Sequence, residues 1–416
     1  MGSSEPLYGI NHRVFYNGKK QVYRENIMIK LCIISTIPTT IKAFFDDQLK
    51  YLQENDYDIS VITSSAISSQ DFGKYFPEGI KLHTVKMSRT ISPLDDLTTF
   101  REILKIIKQG NFDIVQYVTP KAALLGSLAS WRAKVPVRLY LMWGLYYVTQ
   151  TGFKKFIFKT IERIVCSCST AIAPDSKGNV EFAIEEGLCK ADKISIVGHG
   201  SANGVDTERF NPDKLADAGK QIRHQLNIPD NGTVLGCIAA IVGDKGINEL
   251  IEAFDIVSKS NTNVYLLYIG QTTEKDPVKN STLETIKSHP RIIHLGWQTE
   301  PEKYMAAMDI FVLPTYREGF GMANIEASAM ELPVISTDVP GPQESIVNGE
   351  TGILVPARQI EPLVNAMKDL LGRPLYAKKL GEAGRKRVQE FYEQKKLWPS
   401  ILEHRQILLN KAKCTK

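Results

Sequence analysis

Asp309-Ile-Phe-Val-Leu-Pro-Thr-Tyr-Arg-Glu318-Gly-Phe-Gly-Met-Ala-Asn-Ile-Glu326-Ala-Ser-Ala-Met330-Glu-Leu-Pro-Val-Ile-Ser-Thr337 is the stretch whose reading decides the fold. Asp309–Pro314 is an apolar burst of the kind shown by a strand buried on both faces. Leu332–Thr337 is a second one. Between them stand Gly319 and Gly321, then a helix of small and apolar residues. Strand, glycine loop, helix, strand is a βαβ unit. Glycines let the backbone approach a ligand, and a helix start turns N–H groups and a partial positive charge toward it. The unit is suited to holding phosphate. Glu318 and Glu326 flank it, and a carboxylate suits vicinal sugar hydroxyls because each oxygen accepts one O–H. Phosphate between two such carboxylates describes a sugar nucleotide.

Glu318 and Glu326 are separated by seven residues, and E-G-F-G-x-x-x-x-E-A resembles the signature of the family 4 retaining glycosyltransferases of the GT-B fold. The resemblance implies that Glu318 approaches the transferred sugar and Glu326 clamps the ribose hydroxyls. It also implies that Gly319, Phe320, Gly321, Met322, Ala323 and Asn324 line the donor site. Asp244-Lys245-Gly246 matches the family's phosphate-binding lysine, a cation placed where negative charge builds in the transition state. Gly270 and Trp297, at the ends of the strands Val264–Ile269 and Ile292–Leu295, join the expected donor contacts. Family members usually carry an arginine five residues before the lysine. Here that position is Ala240, so a bidentate donor to the diphosphate is missing.

The first half carries further likeness. Thr119-Pro-Lys121-Ala-Ala-Leu-Leu-Gly126 resembles a turn of the bacterial capsule and glycan-assembly members. So does Gly200-Ser-Ala-Asn-Gly-Val-Asp-Thr-Glu-Arg-Phe210, which links the domains in those enzymes. Thr39, Lys121 and Trp143 are the expected acceptor contacts. Trp143-Gly144 stands where relatives often have His-Gly or Arg-Gly, and Val148 where they often have Glu. Two readings stay open for Trp143–Tyr147: stacking on a sugar or prenyl chain, and core packing.

Outward from these motifs the chain alternates strands and helices. Strands are expected at Leu31–Ser35, Asp58–Thr63, Lys81–Val85, Ile114–Tyr117, Val137–Leu141 and Ala171–Ala173, with a loop at Ile37–Thr40 and helices at Ala43–Glu54, Leu97–Gly110, Lys121–Lys134 and Lys154–Cys166. Thr233–Ala240 opens a second series. Alternation of this kind predicts an α/β fold of two doubly wound Rossmann-like domains, with ligands at the strand carboxyl ends and the site in the cleft between domains. The expected division is a polar leader or added extension at 1–27, an acceptor-binding domain at 28–205, a nucleotide-sugar domain at 206–390, and a helix at 391–416 that packs back on the first domain.

A chain of 416 residues, 43% hydrophobic, is long enough for two cores. No apolar run reaches a membrane span; Val135–Val148 is short and contains Arg138. No signal-peptide pattern opens the sequence. Six cysteines show neither a disulfide framework nor zinc spacing, which suits a reduced cytoplasmic protein. Residues 1–205 hold 25 Lys and Arg against 19 Asp and Glu, whereas the remainder holds 26 against 27. The basic excess includes Lys154, Lys155, Lys159 and Arg163 on one helical face, beside Phe153, Phe156, Ile157 and Phe158. Such a face suits an anionic membrane surface or a lipid pyrophosphate. No nucleic-acid module is visible.

The expected function is retaining transfer of a hexose or N-acetylhexosamine from a UDP-sugar to a lipid-pyrophosphate-linked saccharide in bacterial glycan or capsule assembly. The protein would work from the cytoplasmic side, peripheral to the membrane. The resemblance implies metal-independent chemistry, in which a helix dipole and cations take the place of a metal, so no metal and no other cofactor is expected. A sugar-nucleotide epimerase or phosphorylase of the same fold, and a sugar-nucleotide-binding protein without transfer activity, are the alternatives.

Overall fold

The computed structural model describes residues 28–64, 76–88, 92–273 and 276–414; the expected leader 1–27 lies outside them. Among the described residues, twelve strands form two sheets. The first contains β1 (Ile29–Ser35), β2 (Tyr57–Ser64), β3 (Lys81–Val85), β4 (Ile114–Val118), β5 (Val137–Met142) and β6 (Ala171–Pro174), in spatial order β3-β2-β1-β4-β5-β6. The second contains β7 (Thr233–Ile238), β8 (Val264–Ile269), β9 (Ile292–His294), β10 (Ile310–Leu313), β11 (Val334–Thr337) and β12 (Gly352–Val355), in order β12-β11-β10-β7-β8-β9. All pairings within both sheets are parallel. The two orders are the same pattern, and in each the winding reverses between the first and fourth strand. That reversal opens a crevice at the carboxyl ends of β1 and β4, and another at β7 and β10. These are GT-B sheets, and they put four loops where a ligand can reach them.

The strands are buried on both faces and so read as unbroken apolar runs rather than alternating ones. Leu31 and Ile33 pack on one face of the first sheet, Cys32 and Ile34 on the other, all without solvent exposure. The second half has one core, built on Leu235, Cys237, Leu266, Phe311 and Val312.

Several boundaries differ from the sequence reading, and proline accounts for some of them. The first helix runs Pro38–Glu54, so Pro38–Thr40 is a helix start rather than a loop. Helices also open on Pro93, Pro120, Pro212, Pro301, Pro342 and Pro374. Proline suits a first turn because its fixed φ is already helical and its missing N–H has no acceptor there. The helices Lys177–Glu185, Pro212–Gln225 and Asn280–Ser288 were not expected.

The final helix is Gln394–Cys414, separated from Pro374–Phe391 by a turn at Tyr392. It crosses to the first sheet, where Leu409 joins the core with Leu31 and Phe45, and Arg405 Nη2 donates to Gln116 Oε1 of β4 at 2.8 Å. The two passages of chain between the halves run side by side. Val205 N–H donates to Tyr392 O at 2.8 Å, and Gln394 N–H donates to Val205 O at 3.2 Å.

Candidate functional site

A cavity of about 400 Å³ lies between the two switch points and takes walls from both halves, a volume within the range of small-molecule sites. On the second half, Lys245 comes from the turn after β7 and Glu318 from the loop after β10. Their loops are pinned together. Tyr316 N–H donates to Asp244 O at 2.7 Å, and Thr315 Oγ1 donates to the same carbonyl at 3.1 Å. Gly246 lies where a Cβ would stand 1.9 Å from Pro314 O, so only glycine lets the turn close this far. The closure pairs Lys245 Nζ with Glu318 Oε1 in a half-buried ion pair. Next to it, Arg317 Nη2 bonds Asp244 Oδ2 at 3.2 Å, and its guanidinium sits 6.0 Å from the Tyr146 ring of the first half. Arg317 Nε is buried and bonds no described residue.

The helix Met322–Ala329 follows Gly321, which is left-handed with φ +89°. Met322 and Ala323 line the cavity. In a first turn their N–H groups have no acceptor within the helix, which leaves them for an anion.

On the first half the wall comes from Val118, Thr119, Trp143 and Asp175 at the ends of β4, β5 and β6. Thr119 holds φ at +71°, rare for a β-branched residue. Thr36 fixes it there: Thr36 N–H donates to Thr119 Oγ1 at 3.0 Å, and the two hydroxyl oxygens lie 2.8 Å apart. Asp175 is 4% exposed. It accepts from Asn179 Nδ2 at 3.0 Å, and the same amide donates to Gly319 O across the seam at 3.1 Å. Burial, with Glu318 and Glu344 nearby, pushes the Asp175 carboxyl up to about 7. Gly319 is the counterpart of this approach, because a Cβ there would stand 2.1 Å from Asp175 Oδ2. The absent side chain therefore makes room for a carboxyl of the other half. Glu344 completes the seam by accepting from Gly178 N–H.

Of the residues expected at the site, the cavity gathers Lys245, Glu318, Gly319, Phe320, Gly321, Met322, Ala323 and Trp143. Others stand elsewhere. Thr39 is exposed, and its neighbour Thr40 lines the cavity. Lys121 pairs with Asp96 at 2.6 Å, because the second position of the Pro120 helix turns it to the neighbouring helix Pro93–Gly110. Trp297 is 68% exposed, and Gly270, which donates its N–H to Gly296 O, does not line the cavity. Ala240 is half-buried and does not line the cavity. Asn324 is buried under the helix start and donates to Ser336 Oγ at 3.2 Å. Glu326 also lies outside the lining. Burial raises its carboxyl to about 7, with Arg209 opposing that rise and Glu302 adding to it. Trp143 packs on Phe45 and Phe44, with ring centroids 5.2 and 5.3 Å away, and Tyr147 is fully buried. Sequence reading marked the turn that begins at Thr119, at the carboxyl end of β4, and missed Asp175 and Arg317. Asp175 follows β6 and Arg317 adjoins Glu318, so the strand-end rule that marked the first could also have found Asp175.

The helix Gly152–Cys168 narrows the expected basic face. Lys159 pairs with Glu186 at 2.6 Å, and Arg163 donates to the carbonyls of Glu186 and Gly187. Lys154 and Lys155 remain in its exposed first turns, with Phe153 76% and Phe156 64% exposed.

Comparison with known proteins bears on this arrangement. Residues 219–387 match the family described as glycosyl transferases group 1, and residues 34–176 match glycosyl transferase 4-like. The chain is 31% identical over 354 residues to the capsular polysaccharide biosynthesis glycosyltransferase CapM of Staphylococcus aureus, covering 85% of this chain and 91% of that one. It is 24% identical to the UDP-Gal:alpha-D-GlcNAc-diphosphoundecaprenol alpha-1,3-galactosyltransferase of Escherichia coli, covering 82% and 87%. The solved structure of Anabaena HepE in complex with UDP matches with a TM-score of 0.72 at 18% identity, covering 91% of this chain and all of the other.

Proposed function

The chain belongs to the group 1 glycosyl transferases, and from that premise we propose that it moves a hexose or N-acetylhexosamine from a UDP-sugar to a lipid-diphosphate-linked saccharide, with retention at the anomeric carbon. The carrying observation is the Lys245–Glu318 pair beside an open helix start, facing Trp143 and Asp175 across one cavity. Without a ligand the pair neutralises itself. A diphosphate entering against Met322 and Ala323 takes Lys245 as its counter-ion. Glu318 is then free to accept from a hydroxyl of the transferred sugar, and the ribose is assigned to Glu326, one helical turn beyond Met322 and outside the lining of the cavity. Negative charge grows on the diphosphate as the sugar–phosphate bond breaks, so Lys245 and the helix start stabilise the transition state more than the ground state. Arg317 supplies the guanidinium that Ala240 does not. With these cations in place the reaction needs no metal. The departing phosphate oxygen takes the proton of the acceptor hydroxyl, which attacks from the same face. Retention without a protein nucleophile follows.

The acceptor carries a lipid, and the described residues include no helix long and apolar enough to cross a membrane. Docking through Phe153, Lys154, Lys155 and Phe156 at the cytoplasmic face would bring the cavity to its substrate. Two of the relatives' names support this acceptor class, one for capsular polysaccharide and one for a sugar on diphosphoundecaprenol. The test is a panel of UDP- and GDP-sugars read by thermal shift, then by transfer to an undecaprenyl-diphosphate saccharide. One UDP-sugar should stabilise the protein and be consumed only when acceptor is present. Stabilisation by GDP-sugars alone overturns the donor, and binding without transfer to any such acceptor overturns the activity.

A further inference from the structure

A second, smaller cavity of about 40 Å³ lies where the C-terminal helix meets the first sheet, with Trp143 in the wall of both cavities. Phe45, Leu139 and Leu141 make it apolar on one side, and Gln116, His404 and Arg405 make it polar on the other. Arg405 is 2% exposed and Gln116 fully buried. One bond joins them, from Arg405 Nη2 to Gln116 Oε1. Arg405 Nε, Arg405 Nη1 and Gln116 Nε2 are also buried, and none bonds a described residue. The guanidinium is 5.9 Å from the Tyr57 ring, and among the described residues Tyr57 is the only titratable group that acts to hold its charge.

A guanidinium stays protonated in proteins. Buried without a counter-charge, it is among the costliest groups a core can hold. His404 cannot supply negative charge, since an imidazole is neutral or cationic; burial and the Arg405 cation push it down to about 4. The three unbonded atoms are all N–H donors. Water would leave the guanidinium charge unbalanced, and each molecule brings two hydrogens that need acceptors of their own.

We propose that this cavity is a binding site for a small monovalent anion of halide size, held by the Arg405 guanidinium and the Gln116 amide. The anion balances the charge and accepts from the Gln116 amide and from one edge of the Arg405 guanidinium. The volume exceeds what one water needs and is far too small for a sugar phosphate, so the site is separate from the donor cleft. It fastens the C-terminal helix to the first half and backs the wall that carries Trp143.

The test uses the full chain with bromide as the probe. Crystals soaked in sodium bromide, with data collected at the bromine edge, should show an anomalous peak between Arg405 and Gln116. Melting in sodium bromide against sodium gluconate at equal ionic strength should show a saturable rise of about 2–4 °C. Arg405→Met should abolish that rise. The map decides even if this variant does not fold. A cavity holding only water, or bromine signal confined to surface lysines, overturns the proposal.

Discussion

At position 240 the side chain ends at Cβ, and a guanidinium reaches Asp244, next to Lys245, from Arg317 instead. If Arg317 serves the diphosphate, Arg317→Ala should lower kcat by about 100- to 1000-fold, the usual loss for one transition-state donor. Ala240→Arg should raise turnover by about 10- to 1000-fold and restore much of the loss in the double variant. Initial rates with saturating donor decide; a flat or falling rate in an Ala240→Arg variant that still binds UDP means the diphosphate is held another way. The two glutamates should separate by assay. Glu326→Ala should weaken UDP about 10- to 100-fold, the value of a charged bidentate contact, whereas Glu318→Ala should spare UDP and lose turnover. Titration calorimetry with UDP distinguishes them, and equal losses in both would merge the two roles. Glu326 shows the limit of motif reading. Its position was legible from the spacing, but its enclosure near Arg209 and Glu302 was not, because those residues arrive from distant segments.

The helix Gly152–Cys168 joins two environments along its length. Its first turns expose Phe153 and Phe156, rings stacked with centroids 6.3 Å apart, beside two lysines. Pelleting with anionic vesicles should be strong, fall as salt rises, and drop several-fold when both phenylalanines become serine; equal binding to neutral vesicles would rule out this docking face. Further along, the same helix buries Glu162, which accepts from Tyr140 O–H at 2.9 Å and is pushed up to about 7 by burial. A carboxyl raised on folding holds its proton more tightly when folded, so stability falls as pH climbs from 4.5 to about 7 and levels off above. Glu162→Gln should remove that component, on the order of 3 kcal/mol; denaturant melts with unchanged pH slope would refute it. Elements as a class were largely readable, because strands covered on both faces leave unbroken apolar runs such as Ile310–Leu313. Helices that open on proline were harder. At Pro38 and Pro212 a residue that breaks a helix interior begins one, and only the following turns decide which.

Across the whole molecule the two halves repeat one strand order and meet at Gly319 and Asp175. That seam was not legible: nothing in Ala171-Ile-Ala-Pro-Asp175 says that its carboxyl will face a glycine 144 positions later, since the approach depends on how two folded bodies sit together. Gly319→Ala tests it. The added Cβ has no room at 2.1 Å from Asp175 Oδ2, so the halves should stand further apart. Small-angle scattering should then show a larger radius of gyration, and turnover should fall on the order of 100-fold, as misplacement by about 1 Å does; unchanged scattering and rate would show that the seam yields at no cost. The paired passages at Val205 and Tyr392–Gln394 restrict what such opening can be. A single linker is a swivel, free to twist and wander, but two adjacent strands tied to each other act as a door hung on two pins. A crossing of that kind favours swinging over twisting, and swinging would keep Lys245 and Glu318 opposite Trp143.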